Sequence, residues 1–171
     1  PPALLGEAIS VSSRGLPSQE VVQQLSQNST LGEVLASGLR ALQAHPDSSE
    51  EELRASMEGA GRAAAHTLEK HLSALATIAS AAPLLGLLGT VIGMIEIFGS
   101  QGGASATGGG NPAQLAAGIS IALYNTAFGL IVAIPALIFW RYFRARVDGY
   151  LLGMELASEQ FVRHLVRVGG K

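Results

Sequence analysis

Cysteine is absent from this chain. That excludes disulfides and thiol chemistry, and it leaves the compartment open. Charge is scarce. Asp, Glu, Lys and Arg supply 14% of the residues against 48% hydrophobic, which is poor in charge for a soluble domain. Aromatics are also few, and no basic run with interleaved aromatics occurs. With a net charge of −2 there is no reason to expect nucleic acid as a partner. The four histidines, His45, His66, His71 and His164, show no metal spacing with acids on a shared face. His66 with Lys70 and Glu155 with Glu159 stand one turn apart, as solvated helix faces do. No catalytic residue, cofactor or metal site is expected.

What the chain has instead is a long stretch almost free of charge. Between His71 and Arg141 only Glu96 is charged at neutral pH. Two apolar runs lie inside it, Ile78–Phe98 and Leu115–Trp140. A helix rises ~1.5 Å per residue and the hydrocarbon core is ~30 Å thick, so each run can span a bilayer. The alternative is a pair of buried helices in a soluble protein, but such helices rarely run so far without charge. The linker Gly99–Pro112 is glycine-rich and uncharged, and it reads as a flexible turn at one membrane surface. Its glycines lack the lysine and serine or threonine of a phosphate-binding loop. The fold expected is all-α: a membrane helical hairpin with long helix extensions.

Residues 3 to 46 read as short amphipathic helices, broken at Gly15-Leu-Pro17 and Gln27-Asn-Ser29. Thr30-Leu-Gly-Glu33 fits a capping box, and His45-Pro-Asp47 closes the helix it opens. Ser48-Ser-Glu-Glu51 fits a second box, opening a helix that runs unbroken into the first span. An apolar stripe follows at steps of three and four: Leu53, Met57, Ala60, Ala64, Leu68, Leu72, Leu75 and Ala79. Its alanines allow close approach of partner helices. After the second span comes a similar stripe: Phe143, Val147, Tyr150, Met154, Ala157, Phe161, Leu165 and Val168. This segment reads as a direct continuation of the second span. The organisation expected is residues 1–46 as N-terminal helices and 47–171 as a second domain, with extensions 47–77 and 141–168 flanking spans at about 78–98 and 115–140.

Basic residues set the orientation. Arg141, Arg144 and Arg146 sit just outside the second span, Arg62 and Lys70 lie before the first, and the connecting loop has none. The positive-inside tendency places both chain ends in the cytoplasm. Asn111-Pro112 suits a helix restart, as N-cap and first helical position.

Small and polar residues mark one face of each span. In the first, Pro83, Gly86, Thr90, Gly93 and Ile97 are spaced to share a face, with Gly89 alongside. In the second, Ala122, Thr126, Gly129 and Ala133 do the same. Such faces let helices approach closely. Antiparallel spans would bring Thr90 and Thr126 to similar depth, near the midplane, along a seam open to water or ions. The plainer reading of each threonine is a bond back to its own helix carbonyl. Ser120, Tyr124 and Asn125 add polarity, and Asn125 is the costliest of them to bury without partners. Glu96 is the only carboxylate in the membrane region. An acid there is a functional candidate, but its place near the loop suits a carboxylate at the interface.

Ala82-Pro-Leu-Leu-Gly-Leu-Leu-Gly-Thr-Val-Ile-Gly-Met94 and Gly118-Ile-Ser-Ile-Ala-Leu-Tyr-Asn-Thr-Ala-Phe-Gly-Leu-Ile-Val-Ala-Ile-Pro-Ala136 resemble the MotA/TolQ/ExbB proton-channel family, and the ExbB/TolQ branch most. With the flanking helices the resemblance covers roughly residues 50 to 165. It implies a multi-pass subunit of the bacterial inner membrane. It further implies a homo-oligomer, expected to be a pentamer, around a single-span ExbD/TolR-like partner, and energy passed to a TonB- or TolA-like transducer. The family's pore threonines map onto Thr90 and Thr126, with Asn125 and Ser120 as further pathway candidates. Two departures stand out. The family has a further span before the matched region, absent here, so the numbered chain is expected to be the remainder of a longer one. Many members also carry a glutamate where this chain has Ile121. An isoleucine holds no proton, so a relay through that residue is excluded. The function implied is an ExbB-like proton channel and stator subunit energising TonB-dependent outer-membrane transport. The alternatives are a TolQ-like subunit of the Tol-Pal envelope system, or a non-conducting membrane scaffold of the same fold.

Overall fold

Five helices make up the described chain. The computed structural model describes residues 3–102 and 112–169. They are α1 (Ala3–Ser12), α2 (Gln19–Asn28), α3 (Thr30–Ala44), α4 (Glu50–Gly102) and α5 (Pro112–Gly169). Among the described residues there is no strand, and the fold is all-α.

Local sequence sets where the short helices start and stop. The chain turns after α1 through Gly15, whose φ of 125° is open to glycine and strained for other residues. The cap of α3 is Ser29, not Thr30: its hydroxyl accepts a hydrogen bond from the Gly32 amide at 3.1 Å. Thr30 is the first helical residue instead, and the expected box does not form: Gly32 stands three residues after the cap, and the Glu33 carboxylate accepts from Arg40 at 3.0 Å. At α4 a capping box does form, one position later than expected. Ser49 Oγ accepts from the Glu52 amide at 3.2 Å, and Glu52 Oε2 accepts from the Ser49 amide at 3.0 Å. Consecutive serines and threonines offer equivalent hydroxyls, and the one whose backbone is extended at the helix boundary becomes the cap. Glu50, Glu51 and Glu52 fill the first turn of α4, where carboxylates meet the positive end of the helix dipole.

The chain divides into two compact units. The first gathers residues up to Lys70 and those from Ala145 on. Residues of the short helices thus share one unit with residues of both extensions. Its core holds Val34, Leu35 and Leu39 from α3, Leu53 and Met57 from α4, and Phe161, Val162 and Leu165 from α5. Phe161 and Leu35 are fully buried. A Cβ on Gly38 would stand 2.7 Å from Met57 Sδ, so this glycine lets α3 lie directly against α4. The expected stripe on α4 is buried or half-buried throughout. On α5 two stripe members face outward: Tyr150 is 60% exposed and Phe143 46%. Leu151 and Val162 lie on the covered side instead. Two fitting spacings coexist on this helix, and only packing partners decide between them.

The second unit is His71–Arg144. Here α4 and α5 each hold an apolar window long enough to cross a membrane. Only 6% of the first window and 22% of the second is buried within the chain. A soluble core helix would be mostly covered. These instead display Leu84, Leu85, Ile95, Ile121, Phe128 and Ile131, each more than 60% exposed, a display that calls for lipid or partner helices. The helix α4 continues to Gly102, so Gly99–Gly102 extend it rather than forming a turn. Pro112 opens α5. Asn111 and the rest of the expected loop lie outside the described residues.

Candidate functional site: the glycine seam

The site is built where the small-residue faces of α4 and α5 meet. A Cβ on Gly86 would stand 2.7 Å from the Asn125 carbonyl oxygen and 3.2 Å from the Cα atoms of Thr126 and Gly129. These are distances at which only hydrogen fits. One turn on, a Cβ on Gly89 would meet the Asn125 side chain at 3.0 Å, and one on Gly93 would touch Ala122 at 3.5 Å. Further along, Gly118 lies under Ile97, whose Cδ1 would be 2.5 Å from an added Cβ. These pairings run in opposite directions along the two helices, so the seam is antiparallel. Dispersion and backbone contact hold such a crossing, since lipid gives no hydrophobic drive between membrane helices.

That register fixes where the threonines fall. Thr126 lies opposite Gly86, and Thr90 is one turn from Gly86, so the two differ in depth by about a turn or less, ~5 Å. Both are half-buried. At ~100° per residue they occupy the same flank of the seam. Thr90 Oγ1 donates to the Leu87 carbonyl at 2.6 Å, the bond back to its own helix, and its oxygen lone pairs remain available. Beside Thr90 opens an apolar hollow lined by Val91, Met94, Ile95 and Phe98.

The other candidates are arranged differently. Asn125 is half-buried at the seam, but its side chain lies over Gly89 on the opposite flank from the threonines. Ile121, one turn away, is on that flank and 66% exposed. Ser120 is exposed on the outward side of α5. Ala122 and Ala133 are buried in the seam. Glu96 is exposed near the end of α4. Sequence reasoning missed Gly118, Ala82 and Ala136 as seam residues, although Gly118 precedes Ala122 by one helical turn and could have been found that way.

A second concavity lies in the first unit. It is a cavity of about 400 Å³ between residues 54–65 of α4 and 151–162 of α5, floored by Met57, Leu151, Met154 and Val162. On its rim, Glu159 bonds Arg163 at 2.8 Å. The hydrogen bond and the charge of Arg163 hold the Glu159 carboxyl below its usual range. Among the described residues, no three histidines or acids gather where a metal ion could sit.

Residues 26–156, more than half of the chain, match the model of the MotA/TolQ/ExbB proton channel family. The chain belongs to that family, and it is a membrane protein. Among relatives, it is 48% identical over 71 residues to the biopolymer transport protein exbB1 of Vibrio cholerae, covering 42% of this chain and 30% of that one. It is 38% identical over 109 residues to a putative ExbB-like biopolymer transport protein of Synechocystis, covering 64% and 50%. It is 42% identical over 88 residues to the biopolymer transport protein ExbB of Aquifex aeolicus, covering 52% and 57%. The chain therefore aligns with between about a third and somewhat over half of each of these relatives. Its likeness is to the ExbB branch.

Proposed function

We propose that this chain is an ExbB-like proton-conducting stator subunit of the bacterial inner membrane, with both chain ends cytoplasmic. In this reading several copies, five by family expectation, surround an ExbD/TolR-like single-span partner and energise TonB-dependent outer-membrane transport. The observation that carries it is the shared flank of Thr90 and Thr126 at nearly one depth, beside a seam too tight to admit side chains. Hydroxyl oxygens there can accept a hydrogen bond from a water, or from a partner's carboxyl group in its protonated form, without themselves gaining or losing charge. The proton would be carried by the partner's membrane carboxylate. Moving one elementary charge through 100 mV supplies ~2.3 kcal/mol, enough to bias a step.

Ile121 favours a second reading, a non-conducting scaffold of the same fold, because by the family resemblance many members have a glutamate at that position and isoleucine carries no proton. A TolQ-like role in the Tol-Pal system shares the same chemistry and differs in the transducer. Proton flux into liposomes separates channel from scaffold. Flux that requires the partner and falls in T90V and T126V supports the channel. Absence of flux with an assembled partner overturns it.

A further inference from the structure

We infer that the cavity of the first unit is a binding site for a small organic monocation with an apolar body. The cavity measures about 400 Å³ and lies between residues 54–65 of α4 and 151–162 of α5, outside both apolar runs. Pockets for small ligands have volumes of ~300–1,000 Å³. A helix is ~10 Å wide and rises ~5.4 Å per turn, so even three turns of one would occupy over ~1,000 Å³. The space suits a small molecule and not a docked helix. Its floor is apolar: Val34, Met57 and Val162 are buried, and Leu151 and Met154 are half-buried. The two methionine thioethers are flexible and polarisable, so they can mould to an aromatic or aliphatic body.

Charge at the mouth selects the head group. Two of the charged lining residues are matched by residues outside the lining: Arg54 bonds Glu50 at 3.1 Å, and Glu159 bonds Arg163 at 2.8 Å. Glu58, Arg62 and Glu155 are left. All three are exposed, and none has a hydrogen bond or ion pair among the described residues. Arg62 offsets the charge of one carboxylate. Whichever it takes, one negative charge remains above the apolar floor, and an ammonium group complements it. An anionic guest would be repelled by that remaining carboxylate, and a neutral one would leave it unmatched.

The three methionines of the chain separate this site from the membrane. Met57 and Met154 line the cavity, and Met94 lies in the first apolar run. The full chain, isotope-labelled at the methionine methyl groups, is placed in phosphatidylcholine nanodiscs at neutral pH. It is titrated with phenylbutylamine, phenylbutanol or phenylbutyrate, which share a body and differ in charge. The amine is expected to shift the Met57 and Met154 methyl resonances saturably while Met94 stays still. Its midpoint is expected to be about fivefold lower than that of the alcohol, as exposed charge contacts allow, with the carboxylate weakest. In E58Q/E155Q the amine should lose this advantage while the alcohol binds as before, which shows that the cavity has kept its shape. Equal midpoints for amine and alcohol in the parent, or a preference that persists in the double variant, overturn the assignment to a cation. Shifts of Met94 at the same midpoint reveal partition into the bilayer and overturn the site. Absence of any shift at millimolar amine, as when a second copy fills the cavity, overturns it as well. A helical leucine–lysine peptide that shifts both methyls at lower concentration than the amine would replace the small molecule with a protein partner.

Discussion

Gly86 and Gly129 meet backbone to backbone. A methyl group on Gly129 would stand 3.1 Å from the Cα of Gly86 and 2.7 Å from the Ala82 carbonyl oxygen. Neither atom can step aside as the tip of a flexible side chain could. Adding a Cβ at either glycine therefore forces the helices apart along the seam.

Gly86→Ala and Gly129→Ala should each destabilise the hairpin, by about 1–3 kcal/mol as overpacked sites do. Gly59→Ala is the control. It lies in the same helix with nothing within 4 Å of an added Cβ, and it should stabilise by about 0.5–1 kcal/mol through helix propensity. Thermal melts in detergent check the pair of results. Equal behaviour of Gly59 and Gly86 would remove the close crossing.

The caps make a finer comparison. Ser29→Ala removes the acceptor for the Gly32 amide and should cost about 1 kcal/mol. Thr30→Ala, one residue on, takes away no cap. It should be near neutral or slightly stabilising, because alanine is the better helix former. Ser49→Ala should likewise cost about 1 kcal/mol, whereas Ser48→Ala leaves the cap in place and removes only an exposed hydroxyl's bond to the His45 carbonyl. Denaturant melts of the four variants read the register of both caps directly.

Those caps also show what the sequence could carry. Both helix starts were legible as hydroxyl motifs, but only Ser49 and Glu52 form a reciprocal box; at α3 the residue three on from the cap is Gly32, and Glu33 pairs with Arg40. Their register was not, because Ser29 and Thr30, like Ser48 and Ser49, offer the same group one residue apart. The spans were legible from missing charge alone, and the small-residue faces from their spacing. Which flank each polar residue occupies was not legible. Thr126 and Asn125 are neighbours in the chain, and only the register of α4 against α5 sends one hydroxyl to Thr90's side and one amide to Gly89. The outward turn of Tyr150 has a similar cause. An amphipathic helix with two usable stripes takes its orientation from long-range partners such as Leu35 and Met57.

Glu159 gives a pH signature outside the membrane. Its carboxyl is held below the usual range by the Arg163 hydrogen bond and charge, with Arg54 adding a smaller attraction. A group whose folded pKa is depressed contributes stability above its unfolded pKa and loses it as pH falls through the folded one. The group is exposed, so the contribution is small and screened by salt. NMR titration should place the Glu159 midpoint below that of an unpaired glutamate. Arg163→Gln should raise it toward the ordinary value. A midpoint that does not move in the variant would assign the shift elsewhere.

The flanks of the seam make opposite demands on two adjacent residues. Thr126→Val keeps the shape of the side chain and removes its hydroxyl from the flank shared with Thr90. If protons pass there, flux with the partner should fall by about tenfold or more, equivalent to ~1.4 kcal/mol on the barrier. Asn125→Ala acts on the other flank, where the side chain lies over Gly89. It opens space in the seam and should lower thermal stability while leaving flux per assembled complex near its starting value. Liposome flux normalised to assembled complex, measured beside a melt, gives both numbers from one preparation. The reverse pattern, with flux lost in Asn125→Ala and kept in Thr126→Val, would move the pathway to the flank of Asn125 and Ile121. There Asn125 stands one turn from Ile121, which holds no proton.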